Sequence, residues 1–200
     1  MKRKTKVVLI TSILIAIILG IMVVAIVINN NPEVNWDKIL NKANEKPEKY
    51  LHDDQQESEY IGIGTDGKSV NMDLWDVYEQ DDGYSLDGYL GEIDDGKILG
   101  TVPQYIYCHE KSKFEPVIIL DSTFEENEEL EEAPEIPNTV KELRYTFAEC
   151  TNLRKTPLIP EGVILMEDTF EDCTSLTEIT NIPSGIITME YTFARLHISS

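Results

Sequence analysis

Cysteine is scarce in this chain, with three residues among 200. Cys108, Cys150 and Cys173 are odd in number, and their spacing matches no zinc-binding pattern. These two facts exclude a small domain that is held together by a framework of disulfides.

Recognisable catalytic motifs are also missing. His52, His109 and His197 stand far apart, and no HExxH, GxSxG or CxxC pattern occurs. Residues 62–67 match GxGxxG, but a dinucleotide site needs a helix at the last glycine, and strand-like residues follow here. We interpret this motif as a glycine turn. We expect no enzyme, no cofactor and no metal site, with an enzyme in residues 60–113 as the weaker alternative.

Positive charge is the third deficit, since 17 basic residues face 37 acidic ones and the net charge is −20. Lys2, Arg3, Lys4 and Lys6 precede every acidic residue, so the negative charge belongs to the rest of the chain. Such a surface repels nucleic acid, phosphate polymers and anionic lipid headgroups. We therefore expect no nucleic-acid partner. Solvation accounts for most of this charge, and a cationic partner is allowed but not required.

An uncharged apolar run occupies residues 7–28. At about 1.5 Å per residue it is long enough for a hydrocarbon core of about 30 Å. The basic residues 1–6 before it predict a cytoplasmic N-terminus. A cleaved secretory signal, the alternative, has a shorter apolar region and a cleavage site with small residues. The sequence thus predicts a single-pass protein of the cell membrane, with a signal anchor at residues 7–28 and an extracellular C-terminal domain.

A repeat of 23 residues is the strongest pattern in the sequence. Thr-Phe recurs at Thr123-Phe124, Thr146-Phe147, Thr169-Phe170 and Thr192-Phe193. The same step relates Leu130, Leu153 and Leu176; Ile136, Ile159 and Ile182; Val117, Val140, Val163 and Ile186; and Leu120, Leu143, Met166 and Met189. A unit of this length cannot bury its apolar side chains alone, so neighbouring units should stack and place like residues in columns.

The period predicts an α/β repeat solenoid of about four units over residues 114–200. The Leu-x-x-x-Pro-x-Ile segment is expected to be the short parallel strand, with Pro134 and Pro157 at strand ends. The Thr-Phe-x-x-Cys segment is expected to form one helical turn, capped by Thr146 and Thr169. Stacking at this spacing brings Cys150 and Cys173 near disulfide range, but parallel side chains favour buried free thiols.

These units resemble the BspA-like leucine-rich repeats of bacterial surface proteins, in which an aromatic Phe is followed by Cys, Leu and an Ile-Pro strand exit. The resemblance covers residues 114–195. The chain has Thr-Phe where many relatives have Ala-Phe, and Asn127 replaces Cys in the first unit. The resemblance implies a leucine-rich-repeat fold and a role in adhesion to host or matrix.

The segments before the repeats differ from them in composition. Residues 29–59 are polar and predict a juxtamembrane helix, with Trp36 and Ala43 on one face, followed by a solvated spacer. Residues 60–113 contain strand-like runs joined by Asp-Gly turns. Residues 102–106 are similar in sequence to part of a repeat unit, which suggests that they belong to a degenerate first unit. We therefore predict that residues 60–113 form a small β-rich domain that caps the solenoid.

Positions beside the Leu column vary between units while the core positions hold, which makes them the candidate binding surface. They are Glu131, Glu132, Glu135, Arg154, Lys155, Leu158, Thr177, Glu178 and Asn181. The leading hypothesis is a module that binds an extracellular protein or glycan here. The alternatives are that these positions are unconstrained solvent positions and that the chain is a structural stalk or spacer.

The last unit departs from the pattern. The period places Cys at position 196 and Leu at position 199, where the chain has Leu196 and Ser199. With no capping segment after Phe193, the final unit is expected to leave an apolar edge open. The hypothesis is a truncated array or an end that pairs with another chain. The alternative is that Leu196 and Ile198 fold over the end as a cap.

Overall fold

The computed structural model describes residues 35–53 and 60–196. The longest helix in this part of the chain has 10 residues, from Trp36 to Glu45, and spans roughly 15 Å. No helix among the described residues is long and apolar enough to cross a membrane. This finding contradicts the predicted single-pass membrane location, which rested on residues 7–28. Those residues lie outside the described ones.

The described elements are one α-helix, two short 3₁₀ helices and ten strands. In chain order they are α1 (Trp36–Glu45), a 3₁₀ helix (Pro47–Tyr50), β1 (Gly62–Gly64), β2 (Ser69–Val70), a 3₁₀ helix (Met72–Leu74), β3 (Trp75–Gln80), β4 (Gly83–Tyr89), β5 (Ile93–Asp94), β6 (Lys97–Ile98), β7 (Pro103–Cys108), β8 (Lys113–Asp121), β9 (Glu142–Arg144) and β10 (Leu165–Glu167).

Eight of these strands form one mixed sheet, and β8 is its central member. The first half of β8 pairs antiparallel with β7, whereas its second half is parallel to β4 on one side and β9 on the other. The sheet continues through β10 beyond β9, through β1 and β2 beyond β7, and through β3 beyond β4. One row of buried side chains crosses the parallel part: Leu86, Leu120, Leu143 and Met166.

The predicted fold class is wrong. The described residues form a mixed β-sheet domain with one α-helix, not an α/β repeat solenoid behind a β-rich cap and a transmembrane helix. The repeats contribute β8 and the short strands β9 and β10, while β1 to β4 and β7 build the same sheet from earlier in the chain. Residues 102–106 are not a degenerate unit, because β7 runs antiparallel to β8 and the parallel neighbour is β4.

The Thr-Phe-x-x-Cys segment is a turn rather than a helical turn. Tyr145 and Glu149, on either side of Thr146-Phe147, have φ of 47° and 59°. The same two positions are left-handed at every step of 23 residues. A right-handed helix cannot continue through such residues, so the segment around each Phe forms turns.

The predicted strand within Leu-x-x-x-Pro-x-Ile is also absent from the described residues, apart from an isolated bridge between Lys155 and Glu178. Proline explains the difference, because Pro157 has no N–H to donate to a neighbouring unit. The regular strands β9 and β10 form instead around Leu143 and Met166, where no proline interrupts the donors.

The 23-residue period is nevertheless preserved in the contacts between units. The rings of Phe124, Phe147, Phe170 and Phe193 stack with centroid separations of 5.2, 5.4 and 5.5 Å. The threonine before each Phe is buried. Its hydroxyl donates to a backbone carbonyl of β4 in the case of Thr123, and of the preceding unit in the other three cases. Thr146 donates to Leu120 O at 2.8 Å, and Thr169 to Leu143 O at 2.9 Å. These threonines join units, instead of capping a helical turn as predicted.

Replacing Thr169 by valine tests this hydrogen bond at nearly constant volume. We expect the free energy of unfolding to fall by about 1 kcal/mol, because the buried Leu143 carbonyl loses its side-chain donor. Urea denaturation measures the change. Thr177→Val is the control, since its hydroxyl bonds to Arg154 O at an exposed site. Equal stability of the two variants would contradict a structural role for the buried hydroxyl.

The thiols of Cys150 and Cys173 are buried and free, as the sequence predicts. They donate to the carbonyl oxygens of Phe124 and Phe147, each at 3.0 Å. Burial raises the pKa of Cys173 to about 12. Burial and the neighbouring Cys173 thiol also raise the pKa of Cys150.

Alkylation tests this protection. The thiolate is the reactive form, so a raised pKa lowers its fraction at a given pH. We expect iodoacetamide to leave Cys150 and Cys173 unmodified in the folded chain near neutral pH and to modify both in denaturant. Peptide mass spectrometry reads out each site separately. Rapid alkylation of either thiol in the folded chain would contradict its burial.

Candidate functional site

Five of the nine predicted surface residues line one cleft of about 480 Å³ on the repeats. The cleft is completed by Ala133, Thr156, Pro157 and Thr180. We call it the Leu158 cleft, and the predicted residues that line it are Glu131, Glu132, Arg154, Lys155 and Leu158.

The charged residues of the Leu158 cleft pair with one another and with neighbouring units. Arg154 contacts Glu131 at 2.8 Å and Lys155 contacts Glu178 at 2.6 Å. Both pairs are well exposed to solvent, where an ion pair contributes at most about 1 kcal/mol. These side chains therefore stay available to exchange their partner for a charged group of a ligand.

Leu158 is the apolar feature of this cleft, with 68% of its surface exposed. Its neighbours Pro157 and Ile159 are buried and fix the backbone beneath it. An isolated exposed leucine is ordinary on a protein surface. Here, however, it lies inside a concave site between charges of both signs.

The other four predicted residues do not line the cleft, and Glu178 is placed by its ion pair with Lys155. The Asn181 amide bonds to both backbone groups of Ile159, accepting from its N–H and donating to its carbonyl, each at 2.8 Å. The Thr177 hydroxyl donates to Arg154 O. Glu135 accepts from the Thr65 hydroxyl at 3.3 Å and lines a smaller cavity of about 190 Å³. Asn181 thus has a structural role, because its side chain connects two units by hydrogen bonds. The variation at this position between units did not indicate that role.

Sequence reasoning missed a second cavity of about 470 Å³ beside the glycine turn. Its lining includes Asp66 and Lys68, which pair at 2.8 Å, together with Asn71 and the buried Trp75. Burial alone would raise the pKa of Asp66, but the hydrogen bonds from Lys68 lower it. The Asp66-Gly67 turn between β1 and β2 places these groups at the rim. The GxGxxG string therefore forms a hairpin turn, as the sequence predicts.

Comparisons with known proteins add one likeness. No protein-family model and no curated protein matches the chain. The chain is similar to the crystal structure of a leucine-rich repeat protein from Bacteroides ovatus, with 19% identity and a TM-score of 0.31. The similarity covers 54% of this chain and 39% of that one. The matched part is thus well under half of the solved protein's length, and the likeness identifies no shared site.

Proposed function

We propose that this chain is a non-catalytic repeat module of the BspA-like type that binds a protein ligand through the Leu158 cleft. The observation that supports the proposal is the 68% exposure of Leu158 within a concave site whose charged walls are only weakly paired. The alternative function is that of a purely structural spacer, which does not account for an exposed leucine within a cleft.

The chemistry of the cleft favours a protein over a glycan. Protein interfaces combine an apolar centre with a polar, solvated rim, and Leu158 with Arg154, Lys155 and Glu131 supplies both. The cleft falls within the range of about 300–1,000 Å³ that ligand sites occupy. Its lining among the described residues includes no aromatic ring on which a sugar could stack. A glycan ligand remains the alternative outcome of the test.

Peptide selection tests the proposal without a known ligand. A phage library of random peptides is selected on the full chain, and enriched peptides are titrated against the wild type and Leu158→Asp. We expect binding at least tenfold weaker in the variant, or about 1.4 kcal/mol, because a carboxylate replaces the apolar anchor. The matched control is Leu90→Asp, whose leucine is 66% exposed outside the cleft.

Three results would count against the proposal. Equal loss in the Leu158 and Leu90 variants would place binding elsewhere. Failure to enrich any peptide, together with glycan-array binding that Leu158→Asp abolishes, would replace the protein ligand by a glycan. Failure of both screens would favour the structural spacer.

A further inference from the structure

The cavity of about 470 Å³ beside the Asp66-Gly67 turn has the size of a ligand site. Cavities that hold small molecules occupy about 300–1,000 Å³ and are mainly apolar, with a few polar groups that fix the ligand. Val70, Leu74 and Leu99 supply apolar walls here. We call this cavity the Trp75 cavity. It shares no lining residue with the Leu158 cleft.

The indole N–H of Trp75 is a buried donor that lacks an acceptor. Trp75 lines the cavity and is 5% exposed, and its Nε1 atom has no hydrogen-bond partner among the described residues. A tryptophan N–H can only donate, and a buried one usually has a partner. The ring is held in place by Tyr89, at 5.0 Å between ring centroids, and by Phe124, at 6.1 Å. A ligand with an acceptor would supply the missing partner.

Asn71 provides a second donor in the same cavity. Asn71 and Trp75 are the two cap residues of the 3₁₀ helix Met72–Leu74, and both line the cavity. The Asn71 side-chain oxygen accepts from Asp73 N–H at 3.1 Å. This bond fixes the orientation of the amide and leaves its NH₂ group, which can only donate, as the part that can bind a ligand. Both cap residues can therefore donate to one ligand.

Lys68 adds positive charge at the rim of the cavity. Its Nζ atom contacts Asp66 Oδ2 at 2.8 Å, and its backbone N–H donates to Asp66 Oδ1 at 3.0 Å. The Asp66 carboxylate thus accepts from Lys68 with both oxygens, whereas the Lys68 ammonium has two further protons to donate. The Lys68 side chain is 80% exposed, so it can turn toward a ligand without disturbing the packing.

We propose that the Trp75 cavity binds a small monocarboxylate with an apolar body. The carboxylate accepts hydrogen bonds from Trp75 Nε1–H and from the Asn71 NH₂ group, and Lys68 balances its charge. The body packs against Val70 and Leu74. Hydrogen bonds to an ionised acceptor are roughly twice as strong as those between neutral groups. Multiply charged anions such as phosphates are disfavoured, because the chain has a net charge of −20.

NMR of the full chain, labelled with ¹⁵N at its indole nitrogens, tests the proposal. The chain has two tryptophans, and Trp36→Phe assigns the indole signal of Trp75. The probe is 4-methylpentanoate. Its matched control is 4-methylpentylamine, which has the same body and a cationic head that cannot accept a hydrogen bond. We expect the probe to shift the Trp75 indole proton downfield in a saturable manner and the amine to leave it in place.

Variants at two lysines test the role of the charge. We expect 4-methylpentanoate to bind at least tenfold more weakly to Lys68→Met, because the carboxylate loses its cation. The control is Lys97→Met, whose lysine pairs with Glu132 at 2.8 Å outside the cavity. Trp75→Phe removes the N–H and keeps an aromatic ring, and it should weaken binding as well. If Trp75→Phe fails to fold, the lysine variants still decide the question.

Three outcomes would overturn the proposal. The first is a Trp75 indole proton that stays in place throughout the titration, as it would if water already served as its acceptor. The second is equal binding of 4-methylpentanamide, which would mean that the site takes a neutral carbonyl. The third is an equal loss of binding in Lys68→Met and Lys97→Met. Binding of the probe should persist in Leu158→Asp, so failure of this proposal and failure of the proposed function are distinguishable.

Discussion

Replacing Phe147 by alanine is expected to lower the free energy of unfolding by about 3–5 kcal/mol. Phe147 is fully buried and stacks between Phe124 at 5.2 Å and Phe170 at 5.4 Å. The substitution removes the ring and leaves a cavity between two rings that are held by their own units. Because the neighbouring backbone is fixed by threonine and ladder hydrogen bonds, the cavity cannot collapse.

Phe193→Ala is the matched control for this measurement. Phe193 belongs to the same column but is only partly buried and has one stacked neighbour. We expect a loss of about 1–2 kcal/mol there, since less apolar surface is withdrawn from water. Urea denaturation followed by circular dichroism measures both variants. Equal losses would mean that stacking on the second side contributes nothing to stability.

The contacts between the repeats could be predicted because they depend on spacing alone. A step of 23 residues, which relates four Thr-Phe pairs, brings like side chains into register whatever conformation the backbone adopts between them. The Phe column and the buried, free Cys150 and Cys173 follow directly from this register. Side-chain identity at a fixed interval is therefore a dependable guide to which residues touch.

The backbone within each unit could not be predicted in the same way. The left-handed residues beside each Phe include Tyr145 and Asp168 at one position and Glu149 and Asp172 at the other. No glycine marks these positions in the sequence, although glycine is the residue that most easily adopts a positive φ. The sequence therefore does not distinguish a helical turn from a non-helical turn in this segment. The structure selects the turn through hydrogen bonds between units, such as Phe147 N–H to Thr169 O.

Only part of the candidate site could be predicted from the sequence, for a related reason. Variation between units identifies positions that packing leaves free, and this criterion found Arg154, Lys155 and Leu158 in one cleft. It fails where a side chain is unique to one unit yet structural. Asn181 differs from its counterparts because Ile159 N–H and O need a partner that a side-chain amide can supply.

The pairing of β4 with β8, which connects the early strands to the repeats, also could not be predicted from the sequence. Asp81-Asp82-Gly83 has the composition of a turn, but Gly83 is the first residue of β4 rather than a left-handed turn residue. A glycine is needed there because β4 runs against β8, and a Cβ on Gly83 would lie 2.3 Å from the carbonyl oxygen of Pro116.

Gly83→Ala is therefore expected to destabilise the whole domain, by about 3 kcal/mol, the upper end for overpacking. The clash is with backbone oxygen, which cannot rotate away like a side chain, so β4 must separate from β8. Since β8 joins both parts of the sheet, denaturation should remain a single transition with a lower midpoint.

Gly185→Ala is the control, because its Cβ would meet only Glu161 O at 3.7 Å, an ordinary contact. We expect that control to stay within about 0.5 kcal/mol of the wild type. Two separate transitions in Gly83→Ala, with the repeats unaffected, would show that the early strands and the repeats fold independently.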